Sequence, residues 1–496
     1  MTLLNPSLVR TLFVAMFALA CAFPAQAAEP PRCKYVKIGD LPLSYTGPHL
    51  EPIVEGSINR QAASMLVDTG AYASFVTSRG ADRFKLTQRI TGRSVSGTGG
   101  ATRLYGVRLK EFGVGPSHTS DLYLDVIADS APFEFDAILG ADFLFQADLE
   151  ISLAEHAVRF FRGVNCADTF LAYWVDDAVV VPLNPAATGT SNLTFTVELN
   201  GVKLDAMIDT GSVVSVVAER AARKAGVPLD HPSSQNGGYA VGVGSERAAM
   251  RRAVFKTFTI GGEIIKEAEL RVMRSDEAHA VDVLLGADFL RTHRVLFAMQ
   301  QRLLYVNYLG GDVFPRESRA IPVWLQREVD GGNAHAMLAL AQRYAEGRLA
   351  PLDTAKAVAL IERAASSGNR RAVLALAELR MRYKRPQEAV ALYRSALAGR
   401  NDDLRSGLML YLARLAAGEQ AAGAEELSAR LAADSKHAWP AQAGDYVLGR
   451  IDSAALRAAA VKDAGDLAAD QACQAETFIG WLAMVRDGAE APPGCN

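Results

Sequence analysis

The chain has 496 residues, which at roughly 150 residues per domain argues for about three domains. Half of the residues are hydrophobic and 22% are charged, as in an ordinary soluble globular protein. The formal charge of −3 gives no reason to expect nucleic acid or an anionic membrane as a partner.

In chain order, Arg10 precedes an apolar run from Leu12 to Phe23 and then Pro24-Ala25-Gln26-Ala27-Ala28. A basic start, a short apolar core and an Ala-x-Ala site predict a secretory signal peptide over residues 1–27, cut after Ala27. The run is shorter than the ~20 apolar residues a bilayer crossing needs, and no later segment does better, so no stable membrane anchor is expected. Cys21, after Ala18-Leu19-Ala20, offers a lipoprotein reading that the small-residue site downstream outweighs. A periplasmic or secreted location follows. In that setting the remaining Cys33, Cys166, Cys473 and Cys495 suggest disulfides. Of the three pairings, Cys33–Cys166 brackets one domain and Cys473–Cys495 closes the C-terminal tail. Zinc is the competitor, but no two cysteines have C-x-x-C spacing and no H-E-x-x-H occurs among the 8 histidines. No metal or cofactor is expected.

Residues 54–70 alternate apolar and polar side chains, break at Asn59-Arg60 and end in Val67-Asp68-Thr69-Gly70, a β-hairpin signal. Then come the glycine-rich Ser96-Gly97-Thr98-Gly99-Gly100 and Asp136-Ala137-Ile138-Leu139-Gly140-Ala141-Asp142-Phe143-Leu144. The latter predicts a strand and one brief helix, before a strand-turn-strand pattern over Leu149–Phe161. The same order then returns. Residues 195–211, offset by 141, break at Asn200-Gly201 and end in Ile208-Asp209-Thr210-Gly211. Val241-Gly242-Val243-Gly244-Ser245, Asp282-Val283-Leu284-Leu285-Gly286-Ala287-Asp288-Phe289-Leu290 and Val295–Tyr305 follow. This duplication predicts two all-β lobes, at 33–166 and 175–310, joined by a Pro/Thr/Gly/Asn-rich connection around Pro182–Asn192.

Past Ile321, alanine and leucine recur at helical spacing. Asn333–Tyr344 aligns with Asn369–Arg380 at an offset of 36, and Ala357–Asn369 aligns with Ala389–Asn401. Residues 321–496 resemble Sel1-like and tetratricopeptide helix pairs, which bury their faces by stacking. Such a domain docks another protein or acts as a spacer.

The loops Val67-Asp68-Thr69-Gly70-Ala71 and Ile208-Asp209-Thr210-Gly211-Ser212 each resemble the active-site loop of retropepsin-like aspartic proteases. Each is followed by an Ile/Leu-Leu-Gly element whose glycine lies 70 or 75 residues after the loop's own. A lone Asp-Thr-Gly is weak evidence, because Asp and Gly abound in turns. Two copies, each with a hydrophobic strand before and a spaced element after, form a specific pattern. The resemblance implies two all-β retropepsin-like lobes forming a pseudo-dimer, with the all-α repeat domain behind them. It implies Asp68 and Asp209 as a catalytic dyad, because like charges held close cannot both ionise and so share one proton. Thr69 and Thr210 then hydrogen-bond across a pseudo-twofold axis, while Gly70 and Gly211 let the loops turn tightly. The glycine-rich stretches, Gly97, Thr98, Gly99 and Gly100 in one lobe and Gly242, Val243 and Gly244 in the other, fall where the family's substrate-covering flaps lie. In pepsin-like enzymes a serine at the Ser212 position donates its hydroxyl to the neighbouring carboxylate, whereas Ala71 has nothing to offer. On that ground Asp209 is expected to ionise more readily and Asp68 to keep the shared proton.

Other readings are weaker. A phosphate loop at Gly97–Gly100 lacks the Gly-Lys-[Ser/Thr] ending and sits between strands. Asp136, Asp142, Asp282 and Asp288 are expected to cap turns or the short helix. The expectation is therefore an exported aspartic endopeptidase acting on a peptide or protein substrate. The alternative is a catalytically silent peptide-binding or scaffold protein, and a third reading pairs the lobes between chains.

Overall fold

The computed structural model describes residues 32–495 apart from 128–132, 186–191, 229–233, 245–246, 274–280, 315–320, 348–351, 401–402, 434–438, 463 and 465–467. The expected signal peptide and Cys21 lie outside the described residues.

The first lobe contains β1 (Lys34–Pro42), β2 (Ser44–Thr46), β3 (Glu51–Ile58), β4 (Gln61–Val67), β5 (Phe75–Thr77), α1 (Ser78–Arg83) and β6 (Arg89–Gly97). It continues with β7 (Gly100–Val114), β8 (Ser117–Ile127), β9 (Ala137–Leu139), α2 (Ala141–Leu144), β10 (Asp148–Ser152) and β11 (Ala157–Val164). The second lobe contains β12 (Val179–Pro182), β13 (Phe195–Leu199), β14 (Val202–Ile208), β15 (Val216–Ala218), α3 (Glu219–Lys224), β16 (Gln235–Ala240) and β17 (Ala248–Ile260). It ends with β18 (Glu263–Met273), β19 (Val283–Leu285), α4 (Ala287–Leu290), β20 (His293–Ala298) and β21 (Leu303–Tyr308).

The alternation read in the sequence sets the faces of the strands. In β13, Phe195, Val197 and Leu199 are buried while Thr196 is exposed, as the period of two requires. Both central residues of each predicted hairpin turn have positive φ, 51° and 66° at Asn59-Arg60 and 51° and 79° at Asn200-Gly201. That geometry matches the turn twist to the strand twist. Phe195, Phe255, Phe258, Phe289 and Phe297 are fully buried, each burial worth about 1.5–3 kcal/mol.

Among the described residues three sheets result: an eight-stranded one in the first lobe (β2-β3-β4-β9-β5-β8-β7-β6), a seven-stranded one in the second (β13-β14-β19-β15-β18-β17-β16), and a six-stranded one shared by both (β1-β11-β10-β20-β21-β12). In the shared sheet β10 pairs antiparallel with β20, Leu149 opposite Phe297 and Ser152 opposite Arg294. Glu150, fully buried there, accepts from Arg159 at 2.5 Å and from Tyr173 at 2.8 Å, and ion-pairs with Arg294 at 2.9 Å. A charge so far from water persists only with such partners.

Two sequence expectations change. The chain crosses between lobes over residues 166–178, where Leu171, Ala172 and Ala178 pack against Leu296 and Tyr305. The Pro/Thr/Gly/Asn-rich stretch instead joins β12 to β13 within the second lobe, and its residues 186–191 lie outside the described set. Helices α1 and α3, six residues each, are additional to the one brief helix expected per lobe. They are too short to show a helical period. Both expected disulfides are present, Cys33–Cys166 tying the start of β1 to the end of β11 and Cys473–Cys495 holding the tail.

The C-terminal region contains α5 (Val323–Asp330), α6 (Ala334–Glu346), α7 (Thr354–Ser366), α8 (Arg370–Arg382), α9 (Pro386–Leu397) and α10 (Leu404–Ala416). It ends with α11 (Gln420–Ala433), α12 (Ala441–Val447), α13 (Ser453–Val461) and α14 (Ala468–Asp487), ten helices among the described residues. The 36-residue offset places an asparagine before α6 and another before α8. Asn333 accepts from His335 and Ala336 N–H, and Asn369 from Ala372 N–H at 3.0 Å, satisfying amides a helix start leaves open. This region is docked on the lobes. Tyr45 and Leu50 of the first lobe are buried against Leu325, Val329 and Leu340. Arg291 of the second lobe stacks 3.6 Å over the Trp324 ring and donates to the Leu50 carbonyl.

Candidate active site

Each Asp-Thr-Gly loop leaves its hairpin beside a short strand from the Ile/Leu-Leu-Gly element. β9 lies parallel to β4, and Asp68 N–H donates to the Leu139 carbonyl at 3.0 Å. β19 lies parallel to β14, and Asp209 N–H donates to the Leu285 carbonyl at 2.9 Å. Gly140 and Gly286 close this packing. A Cβ on Gly140 would stand 2.3 Å from the Ala73 backbone, and one on Gly286 2.6 Å from the Val214 carbonyl oxygen.

Two serines complete the brace. Ser74 Oγ donates to Asp142 at 2.7 Å and accepts from Gly140 N–H at 3.0 Å. Ser215 Oγ likewise donates to Asp288 at 2.6 Å and accepts from Gly286 N–H at 3.0 Å. Asp142 and Asp288 also accept from Phe143 and Phe289 N–H in the first turns of α2 and α4, at 2.8 and 2.9 Å, so each ties its short helix to its serine. Asp136 and Asp282 brace the short helices from behind, Asp136 pairing with Arg79 and Arg83 and Asp282 with Arg220. The serines stand six residues after each aspartate, a signal present in the aligned repeat and not read from it.

The loops interlock across the lobes. Thr69 N–H donates to Thr210 Oγ1 at 3.0 Å and Thr210 N–H to Thr69 Oγ1 at 3.1 Å. Thr69 Oγ1 donates to the Ile208 carbonyl at 2.7 Å, and Thr210 Oγ1 to that of Val67 at 2.6 Å. Both threonines are 1% exposed. This lock brings the Asp68 and Asp209 carboxyls into hydrogen-bond contact within one chain. Gly70 and Gly211 serve a different need from the one expected. Neither has positive φ. A Cβ on Gly70 would stand 2.4 Å from Asp209 Cγ, and one on Gly211 2.6 Å from Asp68 Cγ. Each glycine makes room for the opposite carboxyl.

The Ser212 hydrogen bond expected to set the polarity of the dyad is not made. Burial raises the pKa of both carboxyls. On Asp209 the neighbouring Asp68 charge raises it further and the Gly211 and Ser212 N–H groups oppose it, while on Asp68 the hydrogen bond from Asp209 and the Gly70 and Ala71 N–H groups oppose burial. Asp68 Oδ1 accepts from Gly70 and Ala71 N–H, both at 2.9 Å, whereas Asp209 Oδ1 accepts from Gly211 N–H at 2.8 Å. The Ser212 hydroxyl does not enter, because it donates to the Val214 carbonyl at 2.8 Å. Ser212→Ala is accordingly expected to leave the acidic limb of any pH–rate profile where it is. A clear rise of that limb would return the hydroxyl to the carboxylate.

The glycine-rich tips of the two lobes meet each other. Gly97 and Gly100 close the β6–β7 hairpin around Thr98-Gly99, and Gly99 N–H donates to the Val243 carbonyl of the other lobe at 2.8 Å. Gly99 also bridges Gly244, whose φ is 105°, and Gly242 lies against Thr98. Val243 packs with Val95, Ala71 and Ala73 on the apolar cluster beside the Asp68 loop. Both tips thus meet beside the Asp68 loop.

The family model described as gag-polyprotein putative aspartyl protease matches residues 54–146 and 195–292, together less than half of the chain. Among solved structures the chain is similar to the crystal structure of aspartic proteinase from Irpex lacteus. The identity is 12% and the TM-score 0.36, over 55% of this chain and 97% of that one. No curated protein matches the chain significantly. The chain carries two β-rich lobes resembling the aspartic protease fold in tandem, followed by about ten helices among the described residues that lie outside the regions the family model matches.

Proposed function

We propose that the chain is an exported aspartic endopeptidase whose single site is built by Asp68 and Asp209 of the same polypeptide. The observation that carries this reading is the pair of carboxyls in hydrogen-bond contact between the two loops, locked by Thr69 and Thr210; we read Asp68, which accepts from two backbone N–H groups, as the ionised member. A water bridging the pair gives a proton to Asp68 as its oxygen attacks the peptide carbonyl carbon, while Asp209 protonates the carbonyl oxygen. Collapse of the gem-diol breaks the C–N bond, the departing nitrogen takes the proton from Asp68, and Asp209 recovers one from the diol. The glycine tips must part to admit substrate and then close to exclude bulk water. Export is supported by the N-terminal segment together with the two disulfides. In this reading the lobes span 33–166 and 175–310, and residues 321–496 form Sel1- or tetratricopeptide-like pairs that dock a protein partner. Incubating the purified chain with an unstructured peptide across acid and neutral pH tests the proposal. Cleavage with a bell-shaped pH profile is expected, and its absence from a chain with folded lobes favours the silent scaffold.

A further inference from the structure

One side chain of the second lobe reaches into the loop of the first. Asn192, ahead of β13, donates its Nδ2 hydrogens to the main-chain carbonyls of Thr69 and Gly70, both at 3.0 Å. The peptide unit containing the Thr69 carbonyl also contains Gly70 N–H, and the unit containing the Gly70 carbonyl also contains Ala71 N–H. Those are the two N–H groups that donate to Asp68 Oδ1. Because a peptide unit is planar, fixing the direction of its carbonyl fixes the direction of its N–H. A donor on the carbonyl also polarises the unit and strengthens the bond its N–H makes.

Among the described residues the hydrogen bonds of the other half show no such device. The position 141 residues before Asn192 is Glu51. A carboxylate cannot donate to the Thr210 and Gly211 carbonyls, and Glu51 Oε2 is buried with no hydrogen-bond partner among the described residues. The two loops match at the threonine lock and differ at this brace. Among the described residues, Asp209 is the one titratable side chain that acts on Asp68.

We infer that Asn192 is a positioning residue that aims two N–H groups at the Asp68 carboxylate and so fixes Asp68, not Asp209, as the base. This rests on the protease reading above. The test uses the full chain with Asn192→Ala, which removes both donors, and Asn192→Asp, which keeps the shape without them. Carboxyl carbon NMR follows the dyad through pH in each protein, and the pH–rate profile is recorded beside it. In both variants the lower apparent pKa of the pair is expected to rise by about one unit. A fall in kcat of about tenfold is expected with it, and a smaller change in KM. An unmoved lower titration in both folded variants would overturn the inference. If the wild type cleaves no peptide the protease reading fails, yet the NMR titration still decides what Asn192 does to Asp68. If the wild type cleaves and the variants titrate as it does, only the positioning role falls.

Discussion

Asp68→Asn and Asp209→Asn are each expected to lower kcat on an unstructured peptide by about 10²–10⁴-fold, the range a positioned acid or base contributes. Neither carboxyl can replace the other, since the reaction needs one to take a proton from water while the other gives one to the carbonyl. The amide fills the same space, so the threonine lock and both sheets should survive. The two variants also act on stability. A carboxyl whose pKa is raised on folding supports the fold while protonated. That support is complete below the unfolded value near ~3.9 and is lost as pH rises through the folded value. Asp209 is the more strongly raised of the pair. Asp209→Asn should therefore unfold at a higher temperature than the wild type at neutral pH, with the gap closing in acid. Turnover close to wild type in either variant would remove the dyad from the mechanism.

Gly70→Ala and Gly211→Ala are the second pair of large effects. Alanine at position 70 would place its methyl 2.4 Å from Asp209 Cγ, and at position 211 2.6 Å from Asp68 Cγ. The backbone at both sites suits alanine, because neither φ is positive. The methyl must then displace the opposite carboxyl. A shift of about 1 Å in a reacting group costs on the order of 10²-fold in rate. The expected outcome is a loss of kcat of that order in a protein with native circular dichroism, and normal turnover in both variants would show that the carboxyls do not meet there.

What the sequence conveyed depended on length scale. Alternation through Phe195–Leu199 and the paired Asn-Arg and Asn-Gly turns are local signals, so the hairpins and the duplicated loops could be read directly. The crossing between lobes could not. Composition pointed to the Pro/Thr/Gly/Asn-rich stretch, whereas the shared sheet captures β12 by pairing it with β21 and so moves the crossing upstream. Ser212 misled because a hydroxyl next to a carboxylate in sequence can turn to a nearer carbonyl, here that of Val214. Asn192 was invisible for the opposite reason. Its partners, Thr69 and Gly70, lie more than 120 residues away, and an asparagine in a turn-rich stretch reads as a turn former.

The central claim is that one chain builds one complete site, and mixing the two asparagine variants tests it most directly. Within a chain, Asp68→Asn leaves Asp209 facing an amide, and Asp209→Asn leaves Asp68 facing one. An equimolar mixture should therefore be as inactive as its components, while the wild type is active as a monomer with a rate per chain independent of concentration. Recovery of peptide cleavage on mixing, from sites pairing Asp68 of one chain with Asp209 of another, would contradict the account.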